Sequence, residues 1–132
     1  MTMFSVLFEQ VPDGDEIYLD WILSGVGWTL FLAAAGWCLA FVIGVLVGCG
    51  RTSRNRWVAV LARLYVEIFR NIPSVALLIF IVFALPDLNV VIDYEPSVVL
   101  TLALVCSAFT ADYLRAGINT IAGGQIEAAL SL

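Results

Sequence analysis

The chain has 132 residues, a length that suits a single domain. Hydrophobic residues make up 62% and charged residues 13%, against ~45–50% and ~25% in ordinary globular chains; a small water-soluble domain is excluded, because it could not hide that much apolar surface. The formal charge is −5, with six Arg, no Lys and no His, which argues against nucleic-acid binding and removes imidazole as a base, proton relay or metal ligand.

Residues 1–23 carry Glu9, Asp13, Asp15, Glu16 and Asp20 and no basic residue. The segment therefore does not read as a secretory signal peptide. It is expected to lie outside the cytoplasm, ahead of a membrane domain over 24–132.

The first span is predicted over 28–50. Trp28 to Gly50 is 23 residues without a charge, roughly 34 Å of helix against a ~30 Å hydrocarbon core. Gly36, Ala40, Gly44 and Gly48 recur every four residues along it, a stripe of small side chains that lets another helix approach closely. The sequence leaves the partner of that stripe open. Cys38, Cys49 and Cys106 have no metal-ligand spacing and read as small buried hydrophobes.

The second apolar run, Asn71 to Pro86, has sixteen uncharged residues, roughly 24 Å and short for a crossing. Extending it back to Leu64 predicts a span over 64–86 with Arg70 snorkelling to the interface. Pro73 predicts a kink there, or a break between an interfacial helix and the span. The third run, Ser97 to Ala111, extends similarly, for a span over 97–115. An ionisable group such as Asp112 near a span is a functional candidate by default; with Arg115 three residues on, on the same helical face, a structural ion pair is the favoured expectation.

Orientation follows the arginines. Arg51, Arg54, Arg56, Arg63 and Arg70 lie between the first two spans, and Arg115 lies at the end of the third. Three crossings put both groups on one side, the cytoplasm. The N-terminus and the loop with Asp87, Asp93 and Glu95 then face outward. The sequence has no nucleotide-binding P-loop, no nucleophile elbow and no H-E-x-x-H, so no enzyme and no bound cofactor are expected.

Two stretches carry a family resemblance. One runs Tyr65-Val66-Glu67-Ile68-Phe69-Arg70-Asn71-Ile72-Pro73 and on to Phe83-Ala84-Leu85-Pro86. The other runs from Ser107 through Asp112-Tyr113-Leu114-Arg115-Ala116-Gly117-Ile118 to Gly124-Gln125-Ile126-Glu127-Ala128-Ala129-Leu130-Ser131-Leu132. Together they resemble the permease subunits of ABC importers for polar amino acids, the histidine, glutamine and glutamate type. Leu19-Asp20-Trp21 with Ser24 to Leu30 looks nearest a glutamate/aspartate permease. The resemblance covers roughly residues 19–132. Glu67, Arg70, Asn71, Pro73, Asp112, Arg115 and Gly117 are its motif positions.

The resemblance implies an all-α integral membrane protein. Three transmembrane helices would form part of a type I ABC importer transmembrane domain, followed by a cytoplasmic coupling segment over 119–132. In the family that segment sits in a groove of a separate ATPase subunit, which binds the ATP. Gly124, Gln125, Glu127, Ala128 and Ala129 would make that contact. The other implied partners are a second permease subunit, an extracytoplasmic amino-acid-binding protein and the lipid of the bacterial inner membrane. The chain departs from the family pattern in Ala122-Gly123 for Pro-Lys, Leu130 for Arg, Asp112 for Glu, Leu77 for Gln and Val82 for an aromatic. The resemblance also implies a C-terminally truncated chain, inactive in uptake by itself. A different class of reading is a small three-span anchor that recruits a cytoplasmic partner without transport. A channel would need a ring of charges or carbonyls at mid-depth, and no such ring is evident.

Overall fold

A computed structural model describes residues 5–10 and 16–131. It divides into two compact units, Met1–Ala34 and Ala35–Leu132. In the first, a 3-10 turn spans Ser5–Phe8, and Gln10 and Ile17 form an isolated antiparallel bridge. Helix α1, Tyr18–Arg51, begins here, ten residues before the expected Trp28. Its start is tied down by the Tyr18 amide, which donates to the Glu9 carbonyl at 3.2 Å. The added turns bring in Trp21, which with Trp28 at the expected start is exposed; such amphipathic rings are favoured at a membrane interface. The expected segment 1–23 thus ends in helix, and residues 1–4 and 11–15 of it lie outside the described set.

In the second unit, α1 ends at Arg51, and α2 spans Arg56–Asn71. The Asn55 side chain caps α2 by accepting from the Trp57 amide at 3.0 Å. Helix α3, Ser74–Ile79, runs into a π-helical turn, Phe80–Ala84, closed by the Leu85 amide donating to the Phe80 carbonyl at 3.1 Å. A 3-10 turn follows over Pro86–Leu88, ending on left-handed Asn89. Helix α4 is Tyr94–Asn119, and α5 is Gly123–Leu130.

Where the sequence reads a single run over 64–86, the structure has two helices set at 99° to each other. The cause is local. Pro73 has no N–H to continue the helix, and its ring pushes Ile72 into the extended region at φ −90°, ψ 123°. The Asn71 amide group donates to the Glu67 carbonyl at 2.6 Å, satisfying one of the carbonyls freed at the end of α2. Ser74–Ala84 is roughly 16 Å long, about half a ~30 Å hydrocarbon core, and cannot cross alone. Among the described residues, two helices, α1 and α4, are long and apolar enough to cross a membrane; the bent pair makes a third if it counts as one crossing.

The small-residue stripe of α1 packs on α4. Gly36, Ala40, Gly44 and Gly48 are the buried residues of α1. A Cβ added to Gly36 would meet Leu102, one on Gly44 would meet Thr110 and Ser107, and one on Gly48 would meet Leu114 and Ala111. Residue numbers rise together on both sides, so this part of α1 and α4 run parallel. Helix α4 answers with small residues of its own: Ser97, Ala103, Ser107, Ala108 and Ala111 are buried. Its hydroxyls are satisfied within the helix. Ser97 donates to the Asp93 carbonyl at 2.8 Å, Thr101 to Ser97 at 2.7 Å and Thr110 to Cys106 at 2.9 Å. The seam therefore closes without leaving those polar groups unpaired.

Candidate functional site

At the Arg51 end of the α1–α4 seam, three helices bring charge together. Asp112 projects from α4. The Arg51 guanidinium, at the last residue of α1, donates to one carboxylate oxygen at 2.6 Å. Arg70, in the last turn of α2, donates to the other. Arg70 also lies over the Phe109 ring, 5.4 Å from its centroid, a cation–π contact one turn before Asp112 on α4. A single carboxylate thus ties the ends of α1 and α2 to α4. Arg51 is 9% exposed and its Nε is buried without a hydrogen-bond partner; Asp112 keeps 31% of its side chain exposed and Arg70 keeps 44%.

The expected partner of Asp112 was Arg115, and this is corrected. Arg115 lines a shallow cavity beside Asp112 with Ala116 and Asn119, but the carboxylate oxygens are taken by Arg51 and Arg70. Both arrive from neighbouring helices and together bracket the group from two sides. Arg70 turns to α4 while keeping part of its side chain exposed. The cysteines are corrected as well. All three are free, but Cys38 and Cys49 are exposed and only Cys106 is partly buried.

A second contact fixes α2 on α4. The Tyr65 hydroxyl lies 2.7 Å from Ser107 Oγ, which itself donates to the Leu104 carbonyl at 2.9 Å. Tyr65 packs on Phe69 with ring centroids 4.7 Å apart. Ser107 also faces Gly44 across the seam, so one small residue of α4 touches both neighbours.

The remaining motif residues are spread over several places. Arg51, Arg63, Glu67, Arg70 and Asn71, with Val66, line a cavity of about 420 Å3. Pro73 stands at the break between α2 and α3. Gly117 is exposed near the end of α4, and its carbonyl accepts from the Thr120 amide at 3.2 Å. Past that point, α5 carries Gly124, Gln125, Ala128 and Ala129 exposed; Glu127 lies on the same helix, with its side chain outside the described set. No contact joins α5 to Asp112 among the described residues, so the charge cluster and α5 stand as two separate features of one end of α4.

Sequence reasoning missed Arg51 and Phe109 as parts of the Asp112 cluster, and Tyr65 and Ser107 as the second contact of α2 on α4. A signal for Arg51 was present. It is the first charge after the long uncharged stretch 21–50, and Asp112 is the one acid near the end of the third span; charges at such depth seek each other. Tyr65, Ser107 and Phe109 carry no such mark.

Comparisons with known proteins identify the family and the fold. A family model described as the binding-protein-dependent transport system inner membrane component matches residues 40–132. The chain is 32% identical to the glutamate/aspartate import permease protein GltJ of Escherichia coli K12, over 98% of this chain and 58% of that protein. It is 32% identical to the arginine transport system permease protein ArtQ of Bacillus subtilis, over 98% and 56%. A crystal structure of an amino acid ABC transporter with histidines superposes with a TM-score of 0.81 at 29% identity, covering 86% of this chain and 53% of that one. The chain thus spans a little over half the length of the relatives it matches. Its helices follow the type I ABC transporter permease fold in part, and its homologues are permease subunits, not enzymes. The chain belongs to the family of inner membrane components of binding-protein-dependent transport systems, as a homologue of the amino-acid ABC permeases.

Proposed function

We propose that this chain is the membrane-spanning part of an importer permease subunit for polar amino acids of the glutamate/aspartate type. Its N-terminus lies outside the cell and α5 lies in the cytoplasm. Helix α5 docks on a separate ATPase subunit, which binds the ATP, while a second permease subunit completes the pathway and an extracytoplasmic binding protein delivers the amino acid. The observation that carries this reading is α5 itself. An eight-residue helix with Gly124, Gln125, Ala128 and Ala129 exposed follows directly on the helix that holds Asp112. Two alanines permit close approach of another backbone, and the arginine–carboxylate cluster gives α4 firm attachments through which a push on α5 reaches α1 and α2. The likeness to GltJ and ArtQ, each 32% identical over 98% of this chain, supports an amino acid as cargo, and the resemblance of Leu19-Asp20-Trp21 with Ser24 to Leu30 supports the glutamate/aspartate type.

The test is a complex reconstituted in vesicles with the second permease subunit, the ATPase and the binding protein. Labelled glutamate is expected to accumulate on ATP addition, with aspartate competing and glutamine and arginine competing poorly. Ala129→Arg is expected to lower ATP-driven uptake by about tenfold or more, as for a bulky charge placed in a packed contact. Full uptake by Ala129→Arg would remove α5 from the coupling role. Competition by arginine equal to that by aspartate would reassign the substrate.

A further inference from the structure

We propose that the cavity lined by Arg51, Arg63 and Arg70 holds a phosphate-type anion, supplied by the headgroup of an anionic phospholipid. The inference needs no transport and stands apart from the substrate reading. Three guanidinium groups meet a cavity of about 420 Å3 whose only lining acid is Glu67. Asp112 neutralises part of the charge from behind, leaving three cations against two acids. Arg63 is in no ion pair among the described residues. Arg51 is nine-tenths buried, with its Nε unpartnered, a costly condition for a guanidinium N–H unless an acceptor arrives.

The depth of the cavity identifies the source. Residues 28–50 of α1 carry no charge and are long enough to fill the hydrocarbon core, at roughly 34 Å against ~30 Å; Arg51, the next residue, would then stand at headgroup level. Helix α2 has the matching two faces. Trp57, Leu61, Leu64 and Ile68 recur at helical spacing and are exposed, at 78%, 69%, 52% and 46%, and they form a stripe suited to acyl chains. Arg63, Glu67 and Arg70 lie around the helix from that stripe. An interfacial helix so built holds its apolar face in the acyl boundary and its cations among the phosphates. Guanidinium forks match phosphate oxygens two at a time, and an anionic lipid is present at that depth at all times.

The experiment uses the full chain in nanodiscs of phosphatidylcholine mixed equally with phosphatidylglycerol, followed by native mass spectrometry of the lipids it retains. Wild type is expected to keep phosphatidylglycerol in preference to phosphatidylcholine. Arg63→Gln leaves the Asp112 pairs in place and is expected to weaken that retention about fivefold, the effect of one cation near an anionic surface. Arg63→Lys is expected to restore most of it, with helix content by circular dichroism unchanged in both variants. Equal retention of the two lipids, or equal retention of phosphatidylglycerol by wild type and Arg63→Gln, would overturn the proposal. A second arm adds inorganic phosphate to discs of phosphatidylcholine alone. Phosphate protection against thermal unfolding that depends on Arg63, without any preference for phosphatidylglycerol, would overturn the lipid as the source.

Discussion

The α1–α4 seam and the Asp112 cluster adjoin each other on the same two helices, yet they are held by different forces. The seam is steric. Glycines and alanines let two backbones approach, dispersion does the work, and the hydroxyls are closed off inside α4. The cluster is electrostatic. One carboxylate holds two guanidiniums from different helices, and its strength depends on charge, not fit. The seam should therefore respond to volume and ignore charge, and the cluster should do the reverse.

The largest effect is expected at Gly44. A Cβ there would stand 2.5 Å from Thr110 Cβ and 2.8 Å from the Ser107 carbonyl oxygen. Neither is the free end of a flexible side chain. Gly44→Ala should destabilise the chain by about 3 kcal/mol, read by unfolding in mixed micelles with increasing dodecyl sulfate. If Gly44→Ala unfolds no earlier than wild type, the steric account of the seam fails.

Next comes the cluster. Asp112→Asn leaves Arg51 buried without its counter-charge. The cost should be on the order of 2 kcal/mol, below that of a fully buried pair because Asp112 is part exposed. Adding Arg51→Gln to Asp112→Asn should recover part of that loss in the same assay. A double variant as unstable as the sum of the singles would mean that the two side chains act independently.

Tyr65→Phe removes the hydroxyl that meets Ser107 and should cost about 1 kcal/mol. The smallest effect belongs to the far end of the seam. A Cβ on Gly48 would meet Leu114 Cδ2 at 2.8 Å, a methyl that can swing away, so Gly48→Ala should cost about 0.5 kcal/mol. The ranking of Gly44 above Gly48 separates a rigid contact from a yielding one; equal losses would erase that distinction.

Much of this was legible in the residues. The stripe Gly36, Ala40, Gly44, Gly48 could be read because a four-residue period of small side chains has one geometric meaning in a helix. The break at Pro73 could be read because a missing N–H acts on its own neighbours. Asp112 could be marked as unusual because carboxylates are rare near apolar runs. Its partners could not. Arg115 was near in sequence and expected; Arg51 and Arg70 stand 61 and 42 residues away, and proximity in sequence carries no information about such pairs. The exposure of Cys38 and Cys49 was missed for a related reason. An all-apolar helix does not announce which side faces a neighbour and which faces lipid.

What the sequence determined by itself was local: apolar length long enough to cross a bilayer, the small-residue stripe and the proline break. Each depends on forces that act within a few residues or on bulk composition. What only the tertiary structure decided was pairing: that the stripe of α1 lies on α4, that α2 turns 99° away from α3, and that Asp112 takes its arginines from α1 and α2. Those outcomes depend on which surfaces meet after the helices form, and competing partners for a charge or a flat helix face differ only in the geometry that packing finally allows.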